Sequence, residues 1–141
     1  MLTLNKVSAR EIAASALKAQ RTRMTVIANN IANAETTRTP EGGAFRRQMV
    51  LLRGDQIRSG LNPEKLSVRV KDVIGDDTPF KEVFDPSHPD ADANGYVKFP
   101  NVNLSIEMVD LVSAQRAYEA SVAVMVSGSR MRQSAMEILQ R

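Results

Sequence analysis

The prolines of this chain fall in one stretch, and that constrains its fold more than any other feature. All six lie between residues 40 and 100, and six of the seven glycines lie there too. Proline removes a hydrogen bond and clashes inside a helix, and glycine costs backbone entropy there. The sequence therefore predicts a mainly α fold with a small β-rich middle. An N-terminal helix occupies 1–38, a middle domain 39–101 and a C-terminal helix 102–141.

The first helix is expected to run from about Ser8, a suitable N-cap, to about Asn33. Its seam has one residue every three or four positions and consists of Ala13, Leu17, Gln20, Met24, Ile27, Ile31 and Ala34. This spacing is typical of a coiled-coil seam rather than of the face of a single globular helix. We therefore expect the two long end helices to form a coiled-coil-like unit.

The second helix is expected to begin near Asn103, with Glu107 and Asp110 complementing the positive end of its dipole. Its main stripe consists of Met108, Leu111, Gln115, Tyr118, Val122, Met125, Ser129, Arg132, Met136 and Leu139. A neighbouring stripe of mostly small residues consists of Ala114, Ala117, Ser121, Val124, Gly128, Met131, Ala135 and Ile138. Together they make a face too broad and too long for the first helix to cover. Some apolar surface is therefore left for other chains.

The middle of the chain gives weaker signals. Strands are predicted over Phe45–Leu52, Leu66–Val73 and Phe80–Phe84, and in the second of them apolar and polar residues alternate as in a half-buried strand. Turns are expected at Arg53–Asp55 and Gly75–Asp77 because glycine and aspartate favour them. Three short strands can make a small β unit, which would be marginally stable alone.

Several classes of protein are excluded by what the sequence lacks. It has no cysteine, which excludes disulfides, thiolate nucleophiles and cysteine-bound zinc. It has no run of apolar residues long enough for a membrane-spanning helix. Charges interrupt the N-terminus every few residues, which argues against a secretory signal peptide.

The net charge of +3 comes from the first helical region, where residues 1–38 hold six basic and two acidic side chains. The basic side chains are Lys6, Arg10, Lys18, Arg21, Arg23 and Arg38. A basic-helix nucleic-acid-binding protein is therefore one alternative. A mixed, solvated helix surface is the interpretation that we favour, so no nucleic acid is expected as a partner.

The segment Asp90–Tyr96 resembles the opening of a calcium-binding loop, with Asp90, Asp92, Asn94 and Gly95 at the required positions. The bidentate glutamate due at the twelfth position is replaced by Asn101, which would weaken binding. Such residues also form ordinary turns. A calcium-loop binding module therefore stays an alternative, but we expect neither a metal site nor a cofactor.

His88 lies close in sequence to Asp85, Ser87 and Asp90. A catalytic Ser–His–Asp arrangement would require these groups to be oriented in a pocket, which an extended segment with two prolines does not imply. We therefore expect no catalytic residue and no enzyme activity.

Three asparagines, Asn29, Asn30 and Asn33, lie near the end of the first helix, although asparagine is a poor helix former. Asn29 and Asn33, one turn apart beside the seam, could bond across helices and fix their register. The alternative is a fraying helix end capped by asparagine. Spacing alone leaves both interpretations open.

These segments resemble the flagellar basal-body rod and hook protein family. Ala28–Ala34 is similar to the family's N-terminal motif, and Asn101–Tyr118 is similar to its C-terminal motif. In the middle, the segments around Thr39–Arg47, Asp85–Pro89 and Gly95–Val97 are similar to proximal-rod members of the family. The resemblance covers nearly the whole chain.

The resemblance implies an inner, axial domain formed by both terminal helices and a small β-rich domain. It implies a structural subunit of the proximal rod that polymerises through its terminal helices into a hollow, torque-transmitting shaft. The partners would be other copies, sister rod proteins and the flagellar type III export apparatus. Such export needs no cleaved signal peptide, which reconciles the N-terminus with a rod in the periplasm.

The residues that we expect at the assembly interface come from the two seams and the asparagine cluster. On the first helix they are Leu17, Met24, Ile27, Asn29, Asn30, Ile31 and Asn33. On the second they are Met108, Leu111, Gln115, Tyr118, Val122 and Met125.

Overall fold

A computed structural model describes residues 9–59 and 62–139 of the chain. Two helices enclose four strands in the order α1 (Ala9–Ala32), β1 (Gln48–Ser59), β2 (Asn62–Gly75), β3 (Lys81–Phe84), β4 (Tyr96–Phe99) and α2 (Leu104–Leu139). This confirms a mainly helical chain with a β-rich middle. Ser8, the expected N-cap of α1, lies outside the described residues. Neither α1 nor α2 has the continuous apolar length that crossing a membrane requires.

The start of α2 is fixed by Asn103, as expected. Its Oδ1 accepts hydrogen bonds from the backbone N–H groups of Ser105 at 3.1 Å and Ile106 at 3.3 Å. These are two of the donors that a helix N-terminus leaves unpaired. With no proline inside it, α2 continues for 36 residues, roughly 54 Å.

Helix α1 lies between α2 on one side and the β1–β2 hairpin on the other. Small residues bring these elements close together: Ala13 is 5% exposed and Ala19 is 1% exposed on α1, and Ala114 is 0% exposed on α2. Val26 and Ile27 complete the buried part of α1. The core is therefore a thin layer around α1.

Strands β1 and β2 form an antiparallel hairpin whose register runs from Gln48↔Gly75 to Ser59↔Asn62. The expected turn at Arg53–Asp55 is wrong. The strand continues through Gly54, which pairs with Val68, and the two irregularities in register lie between Leu51 and Leu52 and between Ile57 and Ser59. A glycine flanked by aspartate is only a local turn signal, and the partner strand overrides it.

Strands β3 and β4 form a separate antiparallel pair, from Lys81↔Phe99 to Phe84↔Tyr96. The sequence therefore predicted one strand too few, since β4 was not among the three expected strands. The expected three-stranded unit is instead two two-stranded sheets among the described residues. Val97 of β4 is fully buried and anchors the small sheet.

Candidate assembly interface

A cluster of buried polar side chains joins the two helices to the base of the hairpin. At its centre, Glu107 of α2 is only 1% exposed. Its Oε1 accepts a hydrogen bond from Arg47 Nε at 2.6 Å, and its Oε2 accepts one from Asn30 Nδ2 at 3.0 Å. We call Asn30, Arg47, Asp76, Asn101 and Glu107 the polar clamp.

Arg47 carries most of the charge pairing in the clamp. Its Nη1 lies 3.2 Å from Asp76 Oδ2, and its Nη2 lies 3.9 Å from Asp110 Oδ2. Burial by itself would lower the pKa of Arg47, but its hydrogen bonds and charge pairing with Glu107 and Asp76 outweigh burial and raise it. The guanidinium is therefore a fixed positive charge among three carboxylates.

Asp76 is held in its ionised form. The backbone N–H of Thr78 donates to Asp76 Oδ1 at 3.0 Å. Hydrogen bonds from the Thr78 backbone and hydroxyl, followed by the Arg47 guanidinium, lower the pKa of Asp76. These partners therefore favour the ionised form of the Asp76 carboxylate in the folded chain.

Two asparagines of the clamp bind backbone groups, and Asn30 does so in addition to its bond with Glu107. Asn30 Oδ1 accepts from the Gln48 N–H at 2.9 Å, and Asn30 Nδ2 donates to the Gln48 carbonyl at 2.8 Å. Asn101 Oδ1 accepts from the Arg47 N–H at 2.8 Å, and Asn101 Nδ2 donates to the Asp76 carbonyl at 3.1 Å. Both amides therefore pair with the chain where the hairpin begins and ends, so few backbone groups at its base stay unsatisfied.

The asparagine cluster contains both of the arrangements that its spacing left open. Asn30 makes the bond across the helices, to Glu107. Asn33 Nδ2 instead donates to Asn29 Oδ1 at 3.0 Å, and Asn33 Oδ1 accepts from Thr36 Oγ1 at 3.2 Å. Asn29 and Asn33 thus stabilise the helix end, and Asn30 is the one of these three asparagines that bonds to α2.

The covered side of α2 includes only part of the main stripe expected there, namely Leu111, Tyr118 and Met125. Its best-covered residues recur every three or four positions and are Glu107, Leu111, Ala114, Tyr118, Ser121 and Met125. The other three residues of that stripe, Met108, Gln115 and Val122, are exposed.

On α1 the expected interface residues also separate into groups. Ile27 and Asn30 are buried, Asn29 is exposed, and the others are half-buried, namely Leu17, Met24, Ile31 and Asn33. The chain itself therefore covers one edge of each predicted face and leaves the other edge open.

The last part of α2 extends past Ala9, the first described residue of α1. Its apolar side chains are exposed to solvent. Met131 is 69% exposed, Met136 54%, Ile138 75% and Leu139 81%. We call residues 129–139 the overhang. Exposed apolar residues grouped along one helix mark an interaction surface more often than isolated ones do.

The segment that resembles a calcium loop is closed by protein donors. Asp92 Oδ1 accepts from the N–H groups of Asn94 at 2.9 Å and Tyr96 at 2.8 Å. Asp90 Oδ2 accepts from Thr37 Oγ1 at 2.8 Å. Within residues 9–59 and 62–139, no group of three or more histidine, cysteine or acidic side chains is arranged to hold a metal ion. The segment is a turn built by its own side chains.

His88 and its neighbours do not form a proton relay. His88 Nδ1 accepts from the Asp90 N–H at 3.1 Å, and Ser87 Oγ donates to Asp85 Oδ1 at 2.6 Å. The Ser87 hydroxyl and the backbone N–H groups of Ser87 and His88 lower the pKa of Asp85. The serine proton is thus directed at a carboxylate and not at the imidazole that would have to accept it.

The comparisons with known proteins cover both helices. The family described as "Flagella basal body rod protein" matches residues 11–38, and the family described as "Flagellar basal body rod FlgEFG protein C-terminal" matches residues 93–138. The first match contains most of α1, and the second contains β4 and nearly all of α2.

Three similar proteins are each described as "Flagellar basal-body rod protein FlgC". The protein from Borreliella burgdorferi is 44% identical over 143 residues, which cover 92% of this chain and 94% of the relative. The protein from Bacillus subtilis is 43% identical over 90% of this chain and 93% of the relative. The protein from Salmonella typhimurium is 42% identical over 82% of this chain and 84% of the relative.

Proposed function

Because the chain belongs to the FlgC family of flagellar basal-body rod proteins and is a structural subunit of the rod, we propose that it polymerises through its terminal helices. In this proposal the open edges of α1 and α2 contact the terminal helices of other copies and of sister rod proteins. Residues 1–38 and 102–141 then form the inner, axial domain of a hollow proximal rod that transmits torque, and 39–101 form the outer, β-rich domain.

The observation that carries the proposal is the overhang of α2. Ile138 and Leu139 are 75% and 81% exposed, although they belong to the two mostly apolar stripes of α2. Burial of apolar surface contributes about 25 cal/mol per Å². Exposed methionine, isoleucine and leucine side chains along two helical turns therefore favour contact with another helix.

We assign the two edges of the α2 stripe to different contacts. Leu111, Tyr118 and Met125 are half-buried and are shared between α1 and a neighbouring subunit. Val122 at 38% exposure and Met108 at 52% exposure belong to the neighbour alone. Coiled-coil assemblies of more than two helices use two adjacent seams in this way.

We further infer that the chain reaches the periplasmic part of the basal body through the flagellar type III export apparatus, without a cleaved signal peptide. Two features support passage of an unfolded chain. The sequence has no cysteine and so no disulfide that would have to be reduced. The buried core is a thin layer of mostly small side chains, which keeps the free energy of unfolding small.

We propose no catalytic activity and no nucleic-acid partner. The polar side chains brought together in the clamp are engaged with each other, which leaves no activated group for chemistry. The exposed basic residues of α1, Arg10, Lys18 and Arg21, form a narrow strip that also contains Glu11. Such a strip is typical of a solvated helix face.

The proposal is tested in a strain from which the gene for this chain has been deleted and then resupplied. Met131→Asp places a carboxylate on the overhang, and Gln133→Asp places the same group on the polar side of α2. Purified basal bodies are examined by negative-stain microscopy. We expect complete rods with Gln133→Asp and no rods with Met131→Asp. Complete rods with both variants would show that the overhang does not contact a neighbour.

A further inference from the structure

The β1–β2 hairpin is attached to α1 at two places. Near its base, Asn30 pairs with the backbone of Gln48 through two hydrogen bonds. Further along, the Val68 N–H donates to Ser15 Oγ at 3.1 Å. Fifteen helical residues separate these two points, which is about 22 Å. The hairpin is therefore aligned along α1.

These two hydrogen-bonded points lie along one helix, so they constrain the hairpin mainly along the axis of α1. In the described residues, strands β1 and β2 both pack against α1 and make no contact with α2. A third connection, to α2, adds a constraint on the angle of the hairpin around α1.

Arg47 provides this third connection. It directly precedes β1, and its side chain reaches Glu107 of α2 at 2.6 Å. Asp76, which directly follows β2, binds the same guanidinium at 3.2 Å, and its N–H donates to the Arg47 carbonyl at 2.8 Å. Both strands of the hairpin are thus joined at their base to one side chain of α2.

We propose that Arg47 is a positioning residue, which sets the angle of the β1–β2 hairpin around α1 by binding Glu107. A guanidinium is planar and donates in fixed directions, so its ion pair constrains orientation as well as distance. Buried ion pairs are often no more stabilising than apolar residues of similar volume, because both charges lose their hydration. The Arg47–Glu107 pair therefore fixes the orientation of the hairpin more than it stabilises the fold.

The angle has a consequence for assembly, and this step rests on the proposed function. The hairpin carries three exposed apolar side chains, Leu51, Leu52 and Val73, which are 38%, 42% and 39% exposed. In a rod of packed subunits, rotation of the hairpin about α1 would move this apolar surface relative to the neighbours. A fixed angle gives every subunit the same outer shape.

The test measures the angle directly in the isolated chain. Because the sequence has no cysteine, spin labels attach only at the introduced cysteines of Lys71→Cys on β2 and Glu119→Cys on α2, both at exposed positions. Pulsed electron paramagnetic resonance then gives the distribution of distances between them. Arg38→Met removes an exposed ion pair with Asp90 and is the control.

The deciding variant is Arg47→Met combined with Glu107→Met, which removes both charges and keeps the volume apolar. We expect this variant to fold with a lower melting temperature, because Asn30 loses its bond to Glu107 and Asp76 loses its bond to Arg47. We also expect its distance distribution to become at least about twice as broad. A distribution as narrow as that of Arg38→Met would overturn the proposal, because the pair would then contribute stability alone.

If the double variant does not fold, Arg47→Lys decides. It keeps the positive charge but replaces the planar fork by a point charge. We expect a broadened distribution with little change in melting temperature, and an unchanged distribution would overturn the proposal. None of these measurements requires a rod, so their outcome is independent of whether the overhang binds a neighbour.

Discussion

Asn30 on α1 and Glu107 on α2 form a hydrogen bond of 3.0 Å between Nδ2 and Oε2, although 77 residues separate them in sequence. Both side chains are 1% exposed. The bond therefore lies inside the helix pair, where a polar group without a partner is costly. It specifies which turn of α1 faces which turn of α2, as a buried asparagine does in coiled coils.

Replacing Asn30 by aspartate should be strongly destabilising. The new carboxylate would lie about 3 Å from Glu107 and could no longer donate to it or to the Gln48 carbonyl. We expect a loss of at least about 2 kcal/mol in the free energy of unfolding. Asn33→Asp is the matched control, since Asn33 is half-buried and bonds within the helix end. Urea unfolding of both variants checks this, and equal losses would contradict it.

The ionised state of Asp76 predicts how stability depends on pH. Its pKa is lowered in the folded chain by the hydrogen bonds from Thr78 and by Arg47. The stabilisation is therefore complete above the unfolded pKa, near 4, and is lost as the pH falls through the lower folded pKa. We expect Asp76→Asn to lose less stability than the parent between pH 6 and pH 3.

Urea unfolding at the two pH values measures the difference. Asp77→Asn, at the neighbouring exposed position, should keep the pH dependence of the parent. If Asp76→Asn and the parent lost equal stability on acidification, Asp76 would not be the group responsible.

The helices could be predicted from the sequence because their signals are local. Asn103 caps α2 with its own side chain, and the lack of proline lets both helices continue. The weaker β signals predicted the strands and turns less accurately. Glycine and aspartate at Arg53–Asp55 suggested a turn, but pairing with a 14-residue partner strand carries β1 through it. The short strand β4 forms by pairing with β3, and no local sequence pattern indicates this pairing.

The polar clamp could not be predicted, because it joins residues far apart in sequence. Arg47 reaches Glu107 across 60 positions, and nothing in a single sequence pairs one arginine with one glutamate. A weak signal existed in Asn30, a poor helix former placed beside an apolar seam. The spacing indicated Asn29 and Asn33 for the bond across the helices, but Asn30 makes it. Only the three-dimensional structure shows which of these three asparagines makes the bond.

The isolated chain should be less helical than the assembled one. Helices α1 and α2 contain 24 and 36 residues, but residues 131–139 are all exposed, and packing supplies most helix stability in proteins. We expect circular dichroism of the dilute monomer to show less helix than these lengths give. Amide hydrogen exchange should be on the order of tenfold faster over the overhang than over 107–121. Uniform protection along α2 with a sharp, fully cooperative melt would contradict this.

Calcium should bind weakly or not at all. Asp92 Oδ1 is occupied by two backbone N–H groups, and Asn101 stands where a bidentate glutamate is required. Asn101 is also held by Arg47 and Thr78 and would have to leave them. Titration calorimetry should give no binding tighter than roughly millimolar. A micromolar dissociation constant that disappears in Asp92→Ala would reverse this interpretation.

Val122 tests whether the open edge of α2 faces a neighbouring subunit. It is 38% exposed in the isolated chain and lies one turn after Tyr118. Val122→Asp should therefore change the stability of the monomer by less than about 1 kcal/mol. In a rod of packed helices the same carboxylate would be enclosed without a partner, which costs several kcal/mol unless it protonates.

We expect Val122→Asp to be expressed and soluble but absent from rods, which leaves the cells non-motile. Gln133→Glu, on the polar side of α2, should assemble and swim because its carboxylate stays hydrated. Rod occupancy is measured in purified basal bodies, and motility is measured as swarm diameter. Normal occupancy of Val122→Asp in motile cells would place this edge of α2 outside every subunit contact. The overhang would then still be available as apolar surface of α2 through which the chain could bind a neighbour.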